Sequence, residues 1–283
     1  MISLNRVTYL YAFISLGLTF IVLQMILFLL GEWDLYSYGW NLIESCLAPL
    51  ETNPFLDFAC KIGMSLFIAY TLLRIGYYSS KQLFFHMKWR WFFQKNGQQR
   101  WQKYMADRYP RYDVTVIEDQ AFIALTKGIV KPRIYISTVV LESFGEEEIE
   151  AILLHEVHHC KKYDPFHLFV LTVLNYGFGY IPLVRKTAYY FSTWKEIQAD
   201  RYAVKKMGSW QHLGAVLLQL SKVHTKLSPI GAVGFTDKAI NYRLQHLIYP
   251  ELNIRVPLFQ PSLVVKSMII TFSVLFVLLG GCV

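Results

Sequence analysis

Residues 151–162 read AILLHEVHHCKK, and the rest of the chain is best understood outward from them. Within the stretch, His155, Glu156, Val157, His158 and His159 make the pattern H-E-x-x-H. Positions four apart on an α-helix differ by about 40° around the axis and lie about 6 Å apart along it. Imidazoles at 155 and 159 can therefore converge on one ion. The flanks predict a helix. Glu146, Glu147, Glu148 and Glu150 crowd its start and Lys161 and Lys162 close it, the polarity that a helix dipole favours. Ile149, Ile152, Leu153 and Cys160 supply an apolar face, and Asp164-Pro165 ends the helix.

Neutral imidazole suits Zn²⁺, and a catalytic zinc site uses three protein ligands with one position left for water. Glu156, beside the first imidazole, can take a proton from that water as it attacks a carbonyl. Because the pattern arises by accident in roughly one chain in a hundred of this length, a third ligand must decide. The run Lys195-Glu196-Ile197-Gln198-Ala199-Asp200 offers one, inside a stretch (188–206) that lacks Pro and Gly and ends before Gly208. Glu196 is read as the metal ligand and Asp200 as the group holding a ligating imidazole by its second ring nitrogen. An acidic pair at this spacing is ordinarily a solvated helix face; the preceding H-E-x-x-H favours the site. One Zn²⁺ per chain is expected on His155, His159 and Glu196, with Glu156 as general base.

The runs AFIALTKGIVKPRIYIS (121–137), EEEIEAILLHEVHH (146–159), KKYDPFHLFVLTVLNYGFGYIPLV (161–184) and KEIQADRYAV (195–204) resemble, in that order, the M56 peptidases. These are membrane zinc proteases typified by the sensor-transducers BlaR and MecR, and the resemblance covers about residues 110–250. It implies a gluzincin-like zinc peptidase domain acting in signalling, with a cytoplasmic BlaI-like transcriptional repressor as the protein substrate. Those receptors carry a penicillin-binding sensor after their last helix, whereas this chain stops at Val283. The signal is therefore expected through the first loop, the membrane segments or a separate sensor protein. Two other readings are an M48-like processing or quality-control protease and a non-proteolytic membrane scaffold, the latter disfavoured by the intact Glu156.

With 54% hydrophobic and 17% charged residues and a mean hydropathy of +0.31, the composition is that of a membrane protein. The formal net charge of +8 sits mainly beside an apolar segment rather than in a groove-reading motif, so direct nucleic-acid binding is not expected. The four cysteines show no C-x-x-C spacing. Cys46 and Cys60 flank the first loop and could pair if it is extracytoplasmic, and Cys160 is read as a small core residue.

Residues 8–30 are uncharged and long enough to span a bilayer, and no small-residue cleavage site follows Leu30, so a retained helix is expected. Residues 31–57 carry Glu32, Asp34, Glu44, Glu51 and Asp57 without Lys or Arg. A second span is expected over 58–79, with Lys61 and Arg74 near its ends, and a third over 261–279. In 81–111 the cations Lys81, Lys88, Arg90, Lys95, Arg100, Lys103, Arg108 and Arg111 face only Asp107. By the positive-inside rule the N-terminus and catalytic region are cytoplasmic, and the acidic loop and C-terminus are extracytoplasmic. Trp89, Trp91, Phe92 and Phe93, interleaved with those cations, suit a helix lying on the lipid bilayer.

The expectation is thus a mainly helical α+β membrane protein with three transmembrane helices. Residues 1–80 hold two of them, 81–260 form the cytoplasmic peptidase domain with a small sheet, and 261–283 hold the third. Residues 166–184 are apolar, but a crossing there would strand Glu196 from His155 and His159, so the segment is read as re-entrant, interfacial or packed in protein. Strands are expected over 113–117, 121–126 and 133–137. Pro132 favours an edge position for the third, where a substrate peptide could add as a strand. Further helices are expected over 210–225 and 237–249. Arg243 fits either support of the site or a surface ion pair, and His158 and His224 read as supporting or surface residues. The terminal LLGGCV is read as a chance likeness to an acylation box.

Overall fold

The computed structural model describes residues 4–32, 54–95, 99–227, 235–249 and 261–269. Two helices lead: α1 (Leu4–Glu32) and α2 (Pro54–Lys95), followed by α3 (Gln99–Arg108). Strands β1 (Val114–Ile117), β2 (Ala124–Lys127) and β3 (Arg133–Ser137) precede α4 (Thr138–Ser143) and α5 (Glu146–Lys161). Then come α6 (Asp164–Phe178), α7 (Pro182–Met207), α8 (Gln211–Leu227) and α9 (Phe235–Ile248). The chain forms two compact units, one mainly of residues 82–169 and 189–256, the other of 2–81, 170–188 and 257–283.

In the first unit the sheet order is β1-β3-β2, with β1 parallel and β2 antiparallel to β3. The expected edge position of residues 133–137 is corrected: β3 is the central strand, buried from Ile134 through Ser137. Pro132 falls just before the first paired residue, so its missing N–H removes no bond from the ladder. The outer side of β1 is closed by a side chain from α3. Gln102 donates Nε2–H to the Val114 carbonyl (2.6 Å) and accepts from the Val116 N–H (3.1 Å), imitating a neighbouring strand. Among the described residues, β2 is the other edge strand of the sheet.

Alternation places Val114, Val116, Ile134 and Ile136 on one face of the sheet, packed with Ile149, Ile152 and Leu153 of α5. The other side of α5 buries Ala151 and Leu154 against Ala203, Leu213, Leu217 and Leu247. A helix covered on both sides must bury its polar residues too, and His155, Glu156, His158 and His159 are each only 7% exposed. The start of α5 is secured by the Glu148 carboxylate, which accepts the Gly145 N–H at 3.0 Å, and by an ion pair between Arg108 and Glu146. At its end Tyr163 takes a left-handed backbone conformation, φ 50°. This single residue turns the chain so that α6 starts at Asp164, beside the turn of α5 that carries His159.

The second unit has its own core of Leu18, Met25, Met64, Ile68, Leu174 and Phe178. Helix α6 approaches α2 closely at Gly177, where a Cβ would stand 2.6 Å from Cγ1 of Ile75, and the rings of Tyr78 and Tyr176 stack at 3.6 Å. Here the expectation of three transmembrane helices is corrected: among the described residues, no helix is long and apolar enough to cross a membrane. Helix α2 is interrupted by Lys61 and Arg74, the described helical stretch 261–269 is half the necessary length, and α1 turns Leu18, Gln24 and Met25 inward. An uncharged run does not distinguish side chains facing lipid from side chains packed on neighbouring helices. The fold is therefore mainly helical with one small sheet. The apolar 166–184 stretch is divided between α6 and α7 by a turn at 179–181. Residues 33–53 of the acidic loop with Cys46, the side chains of Cys60, Trp89, Phe92, Phe93 and His224, and residues 270–283 lie outside the described residues, as does any pairing of Cys46 with Cys60.

Candidate metal centre

Helices α5 and α7 bring His155, His159 and Glu196 together. The Nε2 atoms of the two imidazoles are 3.1 Å apart, and the Glu196 carboxylate oxygens stand 3.4 Å from His155 Nε2 and 3.5 Å from His159 Nε2. Two ligand atoms bonded tetrahedrally at about 2.0–2.1 Å to one ion are about 3.3 Å apart. The imidazole pair fits that edge, and each imidazole has a different Glu196 oxygen at a similar distance, Oε2 from His155 and Oε1 from His159.

The ring nitrogens facing away carry the orienting contacts. Asp200 Oδ1 lies 2.8 Å from His155 Nδ1, and Asp164 Oδ2 lies 2.8 Å from His159 Nδ1. A carboxylate at Nδ1 accepts its proton, so each Nε2 presents a lone pair to the shared point. Two lone pairs and a carboxylate converging in a buried site repel one another unless a cation, or a proton standing in for it, lies between them. Burial alone would depress the His155 imidazole, but Asp200 and Glu196 outweigh it and raise it to about 10. The surroundings favour positive charge at this point, and the donor set of two imidazoles and one carboxylate suits a divalent ion.

Two cations complete the cluster. Arg243 of α9 donates from Nε and Nη2 to the two oxygens of Asp200, both at 2.7 Å, and its Nη1 is 3.0 Å from Glu196. Burial pushes the Glu196 and Asp200 carboxyls up, yet Arg243 first and then the imidazoles hold both below the usual carboxylate range. Asp164, fully buried, also pairs with Lys195 at 2.7 Å, one residue before Glu196 on α7. Burial and three partners act on Asp164 in opposite directions; the partners, His159 foremost, win and its carboxyl titrates low.

Glu156, the residue read as general base, is positioned from the sheet. The Thr126 hydroxyl on β2 lies 2.8 Å from Glu156 Oε2 and 2.9 Å from its backbone carbonyl. Beside it a cavity of about 260 Å³ is lined by His155, Glu156, His159, Glu196 and Arg243, with Leu213, Val216 and Leu217 of α8 as an apolar wall. His158 is buried against the Tyr202 ring, 5.3 Å between centroids, and points away from this group.

Lys195 and Thr126 carry no signal of this role in the sequence, and Arg243 and Asp164 carry an ambiguous one. Arg243 was legible only as a surface pair or a support, and the fold buries it beside Asp200. Asp164 was read as a helix stop, Lys195 as a flank, and Thr126 as an ordinary strand residue. The one sequence signal available was the Asp-Pro after the motif, five residues past His159, which is one tight turn from reaching back.

Residues 116–247 match the family model described as BlaR1 peptidase M56, a span that contains β2, β3 and every residue of this cluster. Over that span the chain is similar to the M56 peptidases, the family of the BlaR1 and mecR1 proteins. It is 26% identical over 159 residues to the regulatory protein BlaR1 of Bacillus licheniformis, covering 56% of this chain and 26% of that one. It is 30% identical over 86 residues to the methicillin resistance mecR1 protein of Staphylococcus aureus, covering 30% of this chain and 15% of that one. A mecR1 protein of Staphylococcus epidermidis matches to the same extent. The chain thus spans about a quarter or less of the length of these relatives.

Proposed function

We propose that the protein is a membrane-associated zinc endopeptidase that cleaves a cytoplasmic or membrane-adjacent protein, in regulatory signalling that ends in inactivation of a BlaI-like repressor. The observation that carries this reading is the convergence of His155, His159 and Glu196 beside a buried Glu156 at an open cavity. His155, His159 and Glu196 would hold the ion. Bound there, zinc supplies a Lewis acid for the scissile carbonyl and brings the pKa of water toward neutrality. Glu156 takes the proton of the attacking water and returns it to the leaving amine. Thr126 keeps that carboxylate in place, while Asp200 and Asp164 hold the imidazoles in the Nδ1–H tautomer.

Because β3 is central and the outer side of β1 is filled by Gln102, the strand suited to receive an extended substrate is β2, whose Thr126 touches Glu156. The apolar wall of α8 then favours a substrate with an apolar side chain at the cleavage point. Residues 81–260 carry the catalysis and the flanking segments hold it at a membrane. The exposed Phe13, Leu16, Leu66 and Leu73 of the second unit support attachment there.

The test is a pair of variants assayed for bound zinc and for cleavage of a repressor substrate. Glu156→Ala is expected to keep zinc and lose roughly 10²–10⁴ in rate, and Glu196→Ala to lose both. Cleavage retained in Glu156→Ala would send the assignment to a metal-bound scaffold.

A further inference from the structure

A second cavity is larger than the one beside Glu156. It measures about 530 Å³ and lies within the first unit, where His86 and Leu83 of α2 meet β3, β1 and the β2–β3 turn. Its walls divide by chemistry. His86, Lys127, Lys131 and Arg133 line it, and no acidic side chain does; Leu83, Ile129 and Val130 provide an apolar side.

The turn that carries the lysines is tight. Gly128 has φ 127°, and a Cβ there would stand 2.2 Å from the Lys131 carbonyl oxygen, so only glycine lets the turn close with Lys127, Lys131 and Arg133 around one hollow. Arg133 reaches Asp113 only loosely, 3.6 Å, with both side chains more than half exposed, an arrangement that leaves its charge mostly available. Burial lowers the Lys127 ammonium, which a bound anion would reverse.

Apolar side chains are exposed on the turn and on the same stretch of α2 that supplies Leu83 and His86. Val130 at the tip of the turn is 79% exposed, and on α2 Phe84, Met87 and Trp91 are each more than 60% exposed with Lys81 and Lys88 nearby in the sequence. Exposed apolar side chains between cations are the pattern of an element resting in the headgroup layer of an anionic membrane.

We propose that this cavity binds the phosphate headgroup of an anionic phospholipid, with the Val130 turn and the exposed face of α2 seated against the bilayer. The phosphate accepts from Lys127, Lys131 and Arg133, and the apolar side takes the first part of the lipid's glycerol and acyl region. The inference adds a defined lipid contact to the membrane attachment read above and is independent of the peptidase chemistry.

The test is flotation of the full chain with phosphatidylcholine vesicles, with and without phosphatidylglycerol. Two charge-matched triple variants are compared: K127Q/K131Q/R133Q at the cavity and K162Q/K205Q/K206Q on exposed lysines elsewhere. Phosphatidylglycerol is expected to strengthen binding of the native chain. The cavity variant should lose about fivefold for each cation, roughly a hundredfold in all, and the control should stay within about twofold. Lys131 is exposed, so Lys131→Gln alone, with an unchanged melting curve, should show the fivefold step where the triple variant fails to fold. Equal losses in the two triple variants would assign the effect to net charge and overturn the site. Equal binding to neutral and anionic vesicles would overturn it while leaving membrane attachment standing, and glycerol 1-phosphate binding as tightly as vesicles would make the ligand a free phosphate ester.

Discussion

Replacing Arg243 by alanine tests the electrostatics of the metal centre most directly. Arg243 makes two hydrogen bonds to Asp200, whose side chain is 3% exposed, and a third contact to Glu196, which keeps 32% of its side-chain surface open to the cavity. Removing the guanidinium leaves the buried Asp200 carboxylate without its main counter-charge. Breaking a buried pair in this way costs about 3–5 kcal/mol, which for a chain of this size lowers the melting temperature by roughly 10 °C. Asp200 also loosens its hold on His155, so zinc affinity should fall about 10–100-fold.

The pH dependence has a definite sign. Asp200 and Glu196 titrate below their ordinary values in the folded protein, so the stability they contribute is present above the unfolded pKa and is lost as pH falls through the folded one. The gap between native and Arg243→Ala proteins should be widest at neutral pH and narrow as pH drops below about 4. Thermal melts of the metal-free proteins across pH, with chelator competition for zinc, measure both. A melting temperature unchanged at pH 7, or a gap that does not narrow on acidification, would refute the argument.

Two further changes probe the turn after α5. Asp164→Asn keeps the shape of the side chain but removes the charge that His159 and Lys195 share; chelator competition should show zinc affinity down by about 10–100-fold. At Tyr163 the left-handed backbone disfavours β-branched side chains, so Tyr163→Val should lower stability by about 1–3 kcal/mol in denaturant melts. Tyr163→Gly, relieved of strain but freer when unfolded, should stay within about 1 kcal/mol of native.

Residues far apart in the chain mark where sequence reading stops. The four-residue spacing of His155 and His159, and of Glu196 and Asp200, is a property of any α-helix, and the flanking charges and apolar positions identify those helices locally. The flanking pattern says nothing about which helix end meets which. Arg243 lies 43 residues from Asp200 and Thr126 lies 30 from Glu156, so both contacts exist only after the core has closed around α5. Asp164 is nearer, but its reach to His159 depends on one left-handed residue that no periodicity signals.

The same limit governs the sheet and the apolar helices. Pro132 marks a strand boundary locally, whereas strand order depends on which neighbours pair, and Gln102 from α3 occupying the flank of β1 leaves β3 in the middle. Hydropathy measures the apolar content of a segment; whether Leu18, Met25, Met64 and Ile68 face lipid or each other depends on helix packing. Local spacing therefore determined the two helices that carry His155, His159, Glu196 and Asp200 and the side chains they turn to one face. The charges around them, the edge strand beside Glu156 and the partners of the apolar helices were decided by tertiary structure, because each is a contact between segments that the backbone does not hold together.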